Sequence, residues 1–277
     1  MGRILWLPKR GRLFAATDLQ GNLEDFARIR ELFVKALRRG EDSYLLFTGD
    51  LIHGPEIPSE HWPSYLGDFY YDQSGEVVLQ FARLAEQFPG RVHCLLGNHE
   101  HAHIGGPSTA KFHDDDVIAL EHAIGPQNTE RLKQLFRSFP LLAISPCGVV
   151  FTHGAPAAAP VSPEEVEQTS YEGYEMATYE DLARDRVLGP LLWARGCEPS
   201  RAVAFLRAIA GESGHIAAFG HDVVPSGYEC NGAEQICFST SFGLFNKDKV
   251  YLDLDLASQY RSVYDLRDDI EIRKLYP

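Results

Sequence analysis

Five short polar clusters combine carboxylate, amide and imidazole side chains with neighbouring glycines. They are Asp18-Leu19-Gln20-Gly21, Gly49-Asp50, Gly97-Asn98-His99-Glu100, His153-Gly154 and Gly220-His221. Divalent cations take oxygen and imidazole ligands from several segments of a rigid scaffold, and a glycine beside a ligand permits a tight backbone turn. One such cluster alone is most often a turn or a helix cap. Five in this order predict a metal site, and two ions about 3.5–4 Å apart can clamp an in-line displacement.

The first three clusters follow apolar runs that are typical of buried strands. The runs cover residues 12–17, 44–48 and 92–96, and segments with helical spacing, 23–39 and 76–88, lie between them. This β-α-β-α-β order predicts parallel strands. Because ligands gather at the carboxyl ends of the strands in such sheets, we expect the three clusters to meet at one edge.

The second half of the chain predicts further strands and one clear helix. Strands are expected at 141–144, 149–152, 216–219, 235–242 and 250–256, and a helix at 200–210. Segment 155–180 is rich in Ala, Pro, Glu and Tyr and predicts a surface insertion. We therefore expect residues 1–277 to form a single α/β domain with two sheets packed face to face and helices outside. Its core covers about residues 12–256, and 257–277 form a C-terminal tail.

The composition of the chain argues against some classes of binding partner. The 277 residues have a formal net charge of −13, which argues against binding to nucleic-acid backbone or to an anionic membrane. The five cysteines are scattered and form no CxxC pair, which predicts reduced thiols in a cytoplasmic protein. The sequence shows neither a signal peptide nor an apolar run long enough to span a bilayer. It leaves the oligomeric state open.

The five clusters resemble the motifs of the calcineurin-like metallophosphoesterases, specifically the bacterial branch of the phosphoprotein phosphatase group. That group has the pattern GDxHG, GDxxDRG, GNHE, HG and GH. The matching segments are Thr17-Asp18-Leu19-Gln20-Gly21, Gly49-Asp50-Leu51-Ile52-His53-Gly54, Gly97-Asn98-His99-Glu100, His153-Gly154 and Gly220-His221. The resemblance covers about residues 12–256, and GNHE is its most specific block. It implies a four-layer α/β/β/α sandwich with two mixed sheets.

The resemblance also implies two divalent ions bridged by Asp50. The first ion takes Asp18, Gln20 and Asp50, and the second takes Asp50 with three further residues, Asn98, His153 and His221. Where the family has histidine, this chain has Gln20, whose neutral amide oxygen is a weaker ligand for borderline metals. This favours Mn²⁺, with iron and zinc as alternatives.

The catalytic residues implied by the resemblance are few. His99 matches the general acid that protonates the leaving alkoxide, and Asn98 and Arg195 match substrate-binding residues. Arg195 ends the stretch Leu191-Leu-Trp-Ala-Arg, and its guanidinium suits phosphate oxygens. Water activated between the two ions is the expected nucleophile, so no covalent phosphoenzyme is expected.

A second departure removes two family residues. The chain has His53 and Gly54 in place of an aspartate that orients the catalytic histidine and an arginine that binds phosphate. Candidates for the missing carboxylate are Glu56, Asp222 and the acidic run 114–116, and the sequence does not choose among them. The run itself is typical of a helix start. His101 and His103 would share a face in a strand and could then bind a third metal. Because no acidic partner has matching spacing, we interpret them as supporting or surface residues.

Three functions remain open from the sequence. The first is hydrolysis of phosphate monoesters, either phosphoproteins or small phosphate esters. The second is a phosphodiesterase or nucleotide pyrophosphohydrolase, because the absence of an arginine at position 54 weakens the grip on a dianionic monoester. The third is a metal-binding interaction protein whose catalysis has decayed, which the substitutions at positions 20, 53 and 54 motivate.

Overall fold

Two mixed β-sheets form the centre of the protein. The computed structural model describes residues 2–277. Its strands are β1 (Ile4–Trp6), β2 (Arg12–Ala16), β3 (Ser43–Phe47), β4 (Val92–Cys94), β5 (Leu142–Ile144), β6 (Val149–Phe151), β7 (Ile216–Phe219), β8 (Tyr228–Cys230), β9 (Gln235–Phe238), β10 (Val250–Asp255) and β11 (Ile272–Lys274). One sheet has the order β11-β10-β2-β3-β4, and the other has the order β1-β5-β6-β7-β9-β8.

Nine α-helices and four short 3₁₀ segments surround the sheets within residues 2–277. The helices are α1 (Leu23–Arg38), α2 (Ser74–Gln87), α3 (Asn98–Ala102), α4 (Asp116–Ile124), α5 (Pro126–Arg137), α6 (Pro163–Glu167), α7 (Tyr179–Arg184), α8 (Leu188–Trp193) and α9 (Pro199–Ala210). The 3₁₀ segments are Ser59–His61, Ser64–Leu66, Gly211–Ser213 and Val263–Asp265. Among these described residues, no helix combines the length and apolar character that crossing a bilayer requires.

The predicted β-α-β-α-β unit is present. Strands β2, β3 and β4 are parallel neighbours, with α1 and α2 as the two crossovers. Helix α1 forms because Phe26, Ile29 and Phe33 recur at helical spacing and are buried. The side chain of Asn22 caps it by accepting a hydrogen bond from the backbone N–H of Asp25 at 3.1 Å, which satisfies a free amide of the first turn.

Side chains that alternate along the strands build the four layers. Leu13 and Leu46 of one sheet and Phe151 and Phe238 of the other lie in a single apolar cluster between the sheets. Their strand neighbours point outward, where another cluster packs helices α1 and α2 on the first sheet and helices α8 and α9 on the second. This confirms the α/β/β/α sandwich with two mixed sheets.

Both ends of the described chain extend the sheets beyond residues 12–256. Strand β1 pairs with β5, and β11 pairs with β10, although the sequence pattern had indicated neither edge strand. Segment 155–180 also differs from a purely surface insertion, because Val166 and Tyr171 are buried in the outer core. The Tyr171 hydroxyl donates to the carbonyl oxygen of Phe139 at 2.9 Å.

A buried carboxylate ties the C-terminus to the start of α1. Asp25 accepts hydrogen bonds from the ammonium group of Lys249 at 2.7 Å, the hydroxyl of Ser241 at 2.5 Å and the hydroxyl of Tyr276 at 2.7 Å. Lys249 and Asp25 have side-chain exposures of only 3% and 1%. Such a pair is tolerated in the interior because further hydrogen bonds satisfy the carboxylate.

Removing the Tyr276 hydroxyl should therefore destabilise the fold. We expect Tyr276→Phe to lower the free energy of unfolding by about 1.5–3 kcal/mol, the range for a hydrogen bond to a charged group. Urea denaturation measures this change. Tyr264→Phe is the matched control, because Tyr264 is 77% exposed. Equal stability of the two variants would show that the C-terminal tie is unimportant.

Candidate metal centre and active site

The five polar clusters meet at the carboxyl ends of strands. Asp18 follows β2, Asp50 follows β3 and Asn98 lies four residues after β4, while His153 and His221 each lie two residues after β6 and β7. All five side chains are buried or nearly so. The face-to-face packing of the sheets thus brings together the residues that the sequence selected.

Backbone strain is concentrated at this centre. Within residues 2–277, six non-glycine residues have a positive φ, and five of them lie in the segments that match the family motifs: Asp18 (48°), Gln20 (40°), Asp50 (54°), His53 (63°) and His221 (65°). The left-handed region is unfavourable for residues with a Cβ. Its repeated use at one site is typical of functional geometry held by the surrounding fold.

Glu100 connects the second and third clusters. Its carboxylate accepts hydrogen bonds from the backbone N–H groups of Asp50 at 2.8 Å, Leu51 at 2.7 Å and Gly97 at 3.0 Å. Burial raises the pKa of Glu100 to about 8, but three N–H donors on its two oxygens favour the ionised form. The Glu of the GNHE block therefore fixes the loops and lies behind the ligands.

Four donor atoms converge around His153. The Nδ1–H of His153 donates to the carbonyl oxygen of Thr48 at 3.0 Å, which leaves a lone pair on Nε2. That nitrogen lies 2.9 Å from Asn98 Oδ1, 3.2 Å from His221 Nδ1 and 3.4 Å from Asp50 Oδ1. Burial lowers the pKa of His153, so its imidazole is neutral. Lone pairs packed this closely fit a bound divalent cation.

The carboxylates of Asp18 and Asp50 lie close together beside the donor atoms around His153. Burial and the nearby charge of Asp18 raise the pKa of Asp50 well above its usual value. The ammonium group of Lys111 donates to Gln20 Oε1 at 2.8 Å, and its charge is attracted to both carboxylates. The first predicted donor set, Asp18, Gln20 and Asp50, stays a prediction, because the ammonium group of Lys111 already contacts the Gln20 oxygen and supplies positive charge beside the two carboxylates.

His99 is placed between the donor atoms and a second imidazole. Its backbone N–H donates to Asp50 Oδ1 at 3.1 Å, and its Nε2 lies 3.8 Å from Asp50 Oδ2. Its Nδ1 lies 2.8 Å from Nδ1 of His53. The residue that replaces the family aspartate therefore still contacts the proposed general acid, but as an imidazole. Burial lowers the pKa of His53 to about 2, so this imidazole is neutral.

The candidate carboxylates have other partners. Asp222 pairs with Arg195 at 2.7 Å, and Glu56 lies 3.7 Å from His113. Asp115 caps α4 by accepting the N–H of Ile118 at 3.0 Å, as expected for a helix start. Asp116 accepts three backbone N–H groups of the loop before α4, those of Lys111, Phe112 and His113.

Position 54 has no room for an arginine. A Cβ on Gly54 would lie 2.1 Å from the carbonyl oxygen of Gln20 and 2.6 Å from Asp72 Oδ1. The backbone N–H of Gly54 instead donates to Asp72 Oδ1 at 3.0 Å. The loss of the family arginine is thus built into this turn.

A cavity of about 350 Å³ opens onto the centre. Its walls include His99 and two cationic side chains, Lys111 and Arg195. Arg195 is held by its bond to Asp222 and by a 3.3 Å hydrogen bond to the carbonyl oxygen of His221. The cavity therefore combines positive charge with the donor atoms of both predicted metal sets, an arrangement that suits an anionic substrate.

The histidines after GNHE lie on helix α3 and its C-cap instead of on a strand. His101 donates through Nε2 to the carbonyl oxygen of Tyr171 at 2.8 Å. His103 contacts His53 and Glu121, at 3.0 Å and 2.9 Å. Both are buried, so the surface alternative is wrong and the supporting role fits the contacts.

Comparison with known proteins identifies the family. The family model for calcineurin-like phosphoesterases matches residues 11–239, and the chain belongs to this family. It is 30% identical over 129 residues to a probable serine/threonine-protein phosphatase of Encephalitozoon cuniculi, a match covering 45% of this chain. The chain spans only 26% of the length of that relative.

Solved structures share the fold. A cold-active protein-tyrosine phosphatase of a psychrophilic Shewanella species has a TM-score of 0.62 at 16% identity, covering 93% of this chain and 78% of that one. A serine/threonine phosphatase of Saccharomyces cerevisiae has a TM-score of 0.57 at 17% identity, covering 87% and 71%. At these identities the likeness shows the fold alone. Members of the calcineurin-like phosphoesterase family are phosphoesterases that typically depend on metal ions.

Sequence reasoning missed Lys111, Glu121 and the loop-fixing role of Glu100. Lys111 lies in an irregular loop without a motif, and Glu121 is one of several acidic residues around α4. For Glu100, its place in the GNHE block was an available signal.

Close packing of glycines should make the centre intolerant of a single methyl group. A Cβ on Gly97 would lie 2.2 Å from Asp50 Oδ1 and 2.5 Å from Asp50 N. We expect Gly97→Ala to displace Asp50 and lower Mn²⁺ affinity by about tenfold or more, equivalent to about 1.4 kcal/mol. Calorimetric titration with Mn²⁺ measures this change in affinity. Gly196→Ala, where an added Cβ meets nothing within 4 Å, is the control, and equal affinities would contradict the packing argument.

Proposed function

We propose that the protein is a metal-dependent phosphomonoesterase acting on phosphoproteins or small phosphate esters. The observation that carries the proposal is the convergence of Asp50, Asn98, His153 and His221 donor atoms at one end of a cationic cavity. Such a set fits a divalent ion, and the cavity fits a phosphate. Family membership supports the same reaction class.

Two ions are proposed, with Asp50 shared between the donor sets. One would be held by Asp50 with Asn98, His153 and His221, and the other would be held by Asp50 with Asp18 and Gln20. Mn²⁺ is the proposed metal, with iron or zinc as alternatives, because all the donors of the set Asp18, Gln20 and Asp50 are oxygens. Bound ions would supply Lewis acidity and an activated water.

The side chains of this chain have distinct parts in the reaction. Lys111 and Arg195 bind the phosphate oxygens and hold the ester in the cavity, and Asn98 lies beside them. His99 carries a proton on Nε2, the ring nitrogen that lies toward Asp50, and donates it to the leaving oxygen. The apolar rings of Trp193 and Phe242 border these groups and limit the access of water.

A second candidate is hydrolysis of phosphodiesters or nucleotide pyrophosphates. Gly54 favours it, because the cavity lacks one family cation and a diester has one negative charge fewer than a monoester. A decayed binding protein is the remaining alternative, and the intact donor set around His153 argues against it. Lys111 restores positive charge to the cavity, so we favour the monoester.

Comparing two chromogenic esters tests the proposal. With Mn²⁺ added, the protein should hydrolyse p-nitrophenyl phosphate faster than bis-p-nitrophenyl phosphate, and chelation should abolish both activities. A preference for the bis-ester would support the diesterase. Absence of both activities in protein that binds Mn²⁺ would support the binding protein.

Metal content should depend on the shared carboxylate. We expect nearly two equivalents of Mn²⁺ in reconstituted wild-type protein by elemental analysis, and loss of both in Asp50→Asn, because the amide removes the charge that both sets use. Asp42→Asn is the control, since Asp42 lies on the surface with 48% side-chain exposure. One tightly bound ion, unchanged in Asp50→Asn, would contradict the dinuclear proposal.

Lys111 should bind phosphate in place of the missing arginine. We expect Lys111→Met to raise KM for p-nitrophenyl phosphate and the inhibition constant of inorganic phosphate by about tenfold, the loss of one charge-assisted contact. Elemental analysis should show no loss of metal. Lys247→Met removes an exposed charge and should leave both constants unchanged. An unaltered phosphate inhibition constant in Lys111→Met would assign Lys111 solely to Gln20.

A further inference from the structure

A continuous line of hydrogen-bonded side chains leads from the centre to the protein surface. His99 Nδ1 lies 2.8 Å from His53 Nδ1, and His53 Nε2 lies 3.0 Å from His103 Nε2. His103 Nδ1 lies 2.9 Å from Glu121 Oε1. His53 and His103 each use both ring nitrogens in the line, and His99 joins it through Nδ1. The three histidines are buried. Glu121 has 23% side-chain exposure and is the member that reaches solvent.

This geometry couples the tautomers of the three rings. If Glu121 is ionised, it accepts from Nδ1–H of His103, whose Nε2 then accepts from Nε2–H of His53. The Nδ1 of His53 must then accept from Nδ1–H of His99. A neutral imidazole has one donor and one acceptor nitrogen, so the state of Glu121 determines which nitrogen of His99 carries hydrogen.

We propose that His53, His103 and Glu121 form a proton relay that serves His99, and that Glu121 is the distant carboxylate replacing the family aspartate. The proposal rests on the phosphomonoesterase function given above. His53 and His103 are positioning residues that also pass protons, and none of the three touches the ester.

The relay balances in protons and charge. In its loaded state, Glu121 is protonated and each histidine carries hydrogen on the nitrogen nearer the centre: Nε2 of His103, Nδ1 of His53 and Nε2 of His99. When His99 gives its Nε2 proton to the leaving alkoxide, His53 passes a proton to His99, His103 passes one to His53, and Glu121 passes one to His103. The leaving group gains one proton, Glu121 becomes a carboxylate, and every imidazole stays neutral. The line is reset when a proton of the next attacking water enters at His99 Nε2: each ring then passes one proton outward, every imidazole returns to its loaded tautomer, and Glu121 regains its proton.

Groups beside the relay support proton transfer between Glu121 and His99. Burial lowers the pKa of His53 and of His103, so neutral rings carry the line. The hydrogen bond with His103 and the ammonium group of Lys133, which lies 3.0 Å away, lower the pKa of Glu121. The carboxylate is therefore its resting form, and the protonated form exists only between uptake of the water proton and its transfer to the leaving group. The hydroxyl of Thr109 lies 3.3 Å from His53 Nδ1 and 3.5 Å from His99 Nδ1, at the first junction of the relay.

Asp116 is the competing carboxylate. One of its oxygens lies within 4.8 Å of ring nitrogens of His53 and His99. However, its two oxygens already accept the backbone N–H groups of residues 111, 112 and 113 at 2.8 Å, 3.1 Å and 2.9 Å. Asp116 therefore fixes the loop, whereas Glu121 is joined to the line by a direct hydrogen bond.

The test uses Glu121→Gln in the metal-loaded full-length protein. A glutamine oxygen still accepts from His103 Nδ1–H, so the packing is kept, but it cannot supply a proton. We expect kcat for phenyl phosphate, which has a poor leaving group, to fall about tenfold. This is less than the ~10²–10⁴-fold contribution of a general acid, because His99 itself stays in place. We expect kcat for p-nitrophenyl phosphate, which has a good leaving group, to change less than about threefold. Glu130→Gln, an exposed neighbour on α5, is the control. Equal losses for the two esters would overturn the relay.

Restoring the family residue gives a sharper test. An aspartate at position 53 tolerates its φ of 63° and places a carboxylate beside His99, so His53→Asp should make Glu121 dispensable. We expect Glu121→Gln to lower phenyl phosphate hydrolysis in the wild-type background and to leave it unchanged in His53→Asp. The same fractional loss in both backgrounds would show that Glu121 acts by another route, and the relay would be wrong.

A measurement without substrate separates the relay from the proposed function. Nitrogen-15 NMR of the imidazoles reports which ring nitrogens carry hydrogen. We expect Glu121→Gln to shift the His53 and His99 nitrogens, and Glu130→Gln to leave them unchanged. Such shifts in a protein that hydrolyses neither chromogenic ester would retain the relay and reject the phosphatase. Unchanged His99 nitrogens would reject the relay even in an active phosphatase.

Discussion

Mutual repulsion between two buried carboxylates is the constraint on which the rest of the centre depends. Asp18 and Asp50 lie at neighbouring strand ends, and the charge of Asp18 together with burial raises the pKa of Asp50. A charge removed from water is costly unless it is paired. The ammonium group of Lys111 offsets part of that negative charge, whereas the lone pairs of the histidine nitrogens and amide oxygens make the centre more electron-rich. The divalent cation proposed above would pair with the carboxylates and with these lone pairs together.

Rigid backbone segments and local hydrogen bonds hold the two carboxylates in this unfavourable arrangement. Five left-handed residues at one site would not persist in a flexible loop. Parallel strands end in the same plane, Glu100 binds three backbone amides of two loops, and the Thr48 carbonyl sets the tautomer of His153. The donor atoms are thus oriented before any ion arrives, which reduces the cost of binding.

The convergence of these polar side chains could be predicted from the sequence because their motifs are local. Each of Asp18, Asp50, His153 and His221 follows a strand within two or three residues, so the strand pattern places it. The catalytic surroundings could not be predicted in the same way. Glu121 reaches His53 only through His103, and Lys111 meets Gln20 across 91 residues of sequence. One usable signal was the spacing of His99 and His103, which share a side once α3 is recognised as a helix.

The departures from the family pattern at positions 53 and 54 depend on the same hydrogen-bond network. The backbone N–H of His53 donates to the Ser74 hydroxyl at 2.8 Å, and that hydroxyl donates to Asp72 Oδ1 at 2.6 Å, which also accepts the N–H of Gly54 at 3.0 Å. This network holds His53 in the strained conformation that directs its ring to His99. An arginine at 54 would clash with the Gln20 carbonyl and with Asp72, and displacing Asp72 would release His53. A Gly54→Arg substitution would therefore require further changes in this turn. The positive charge that the family arginine supplies must come from other cavity residues, and Lys111 and Arg195 lie there.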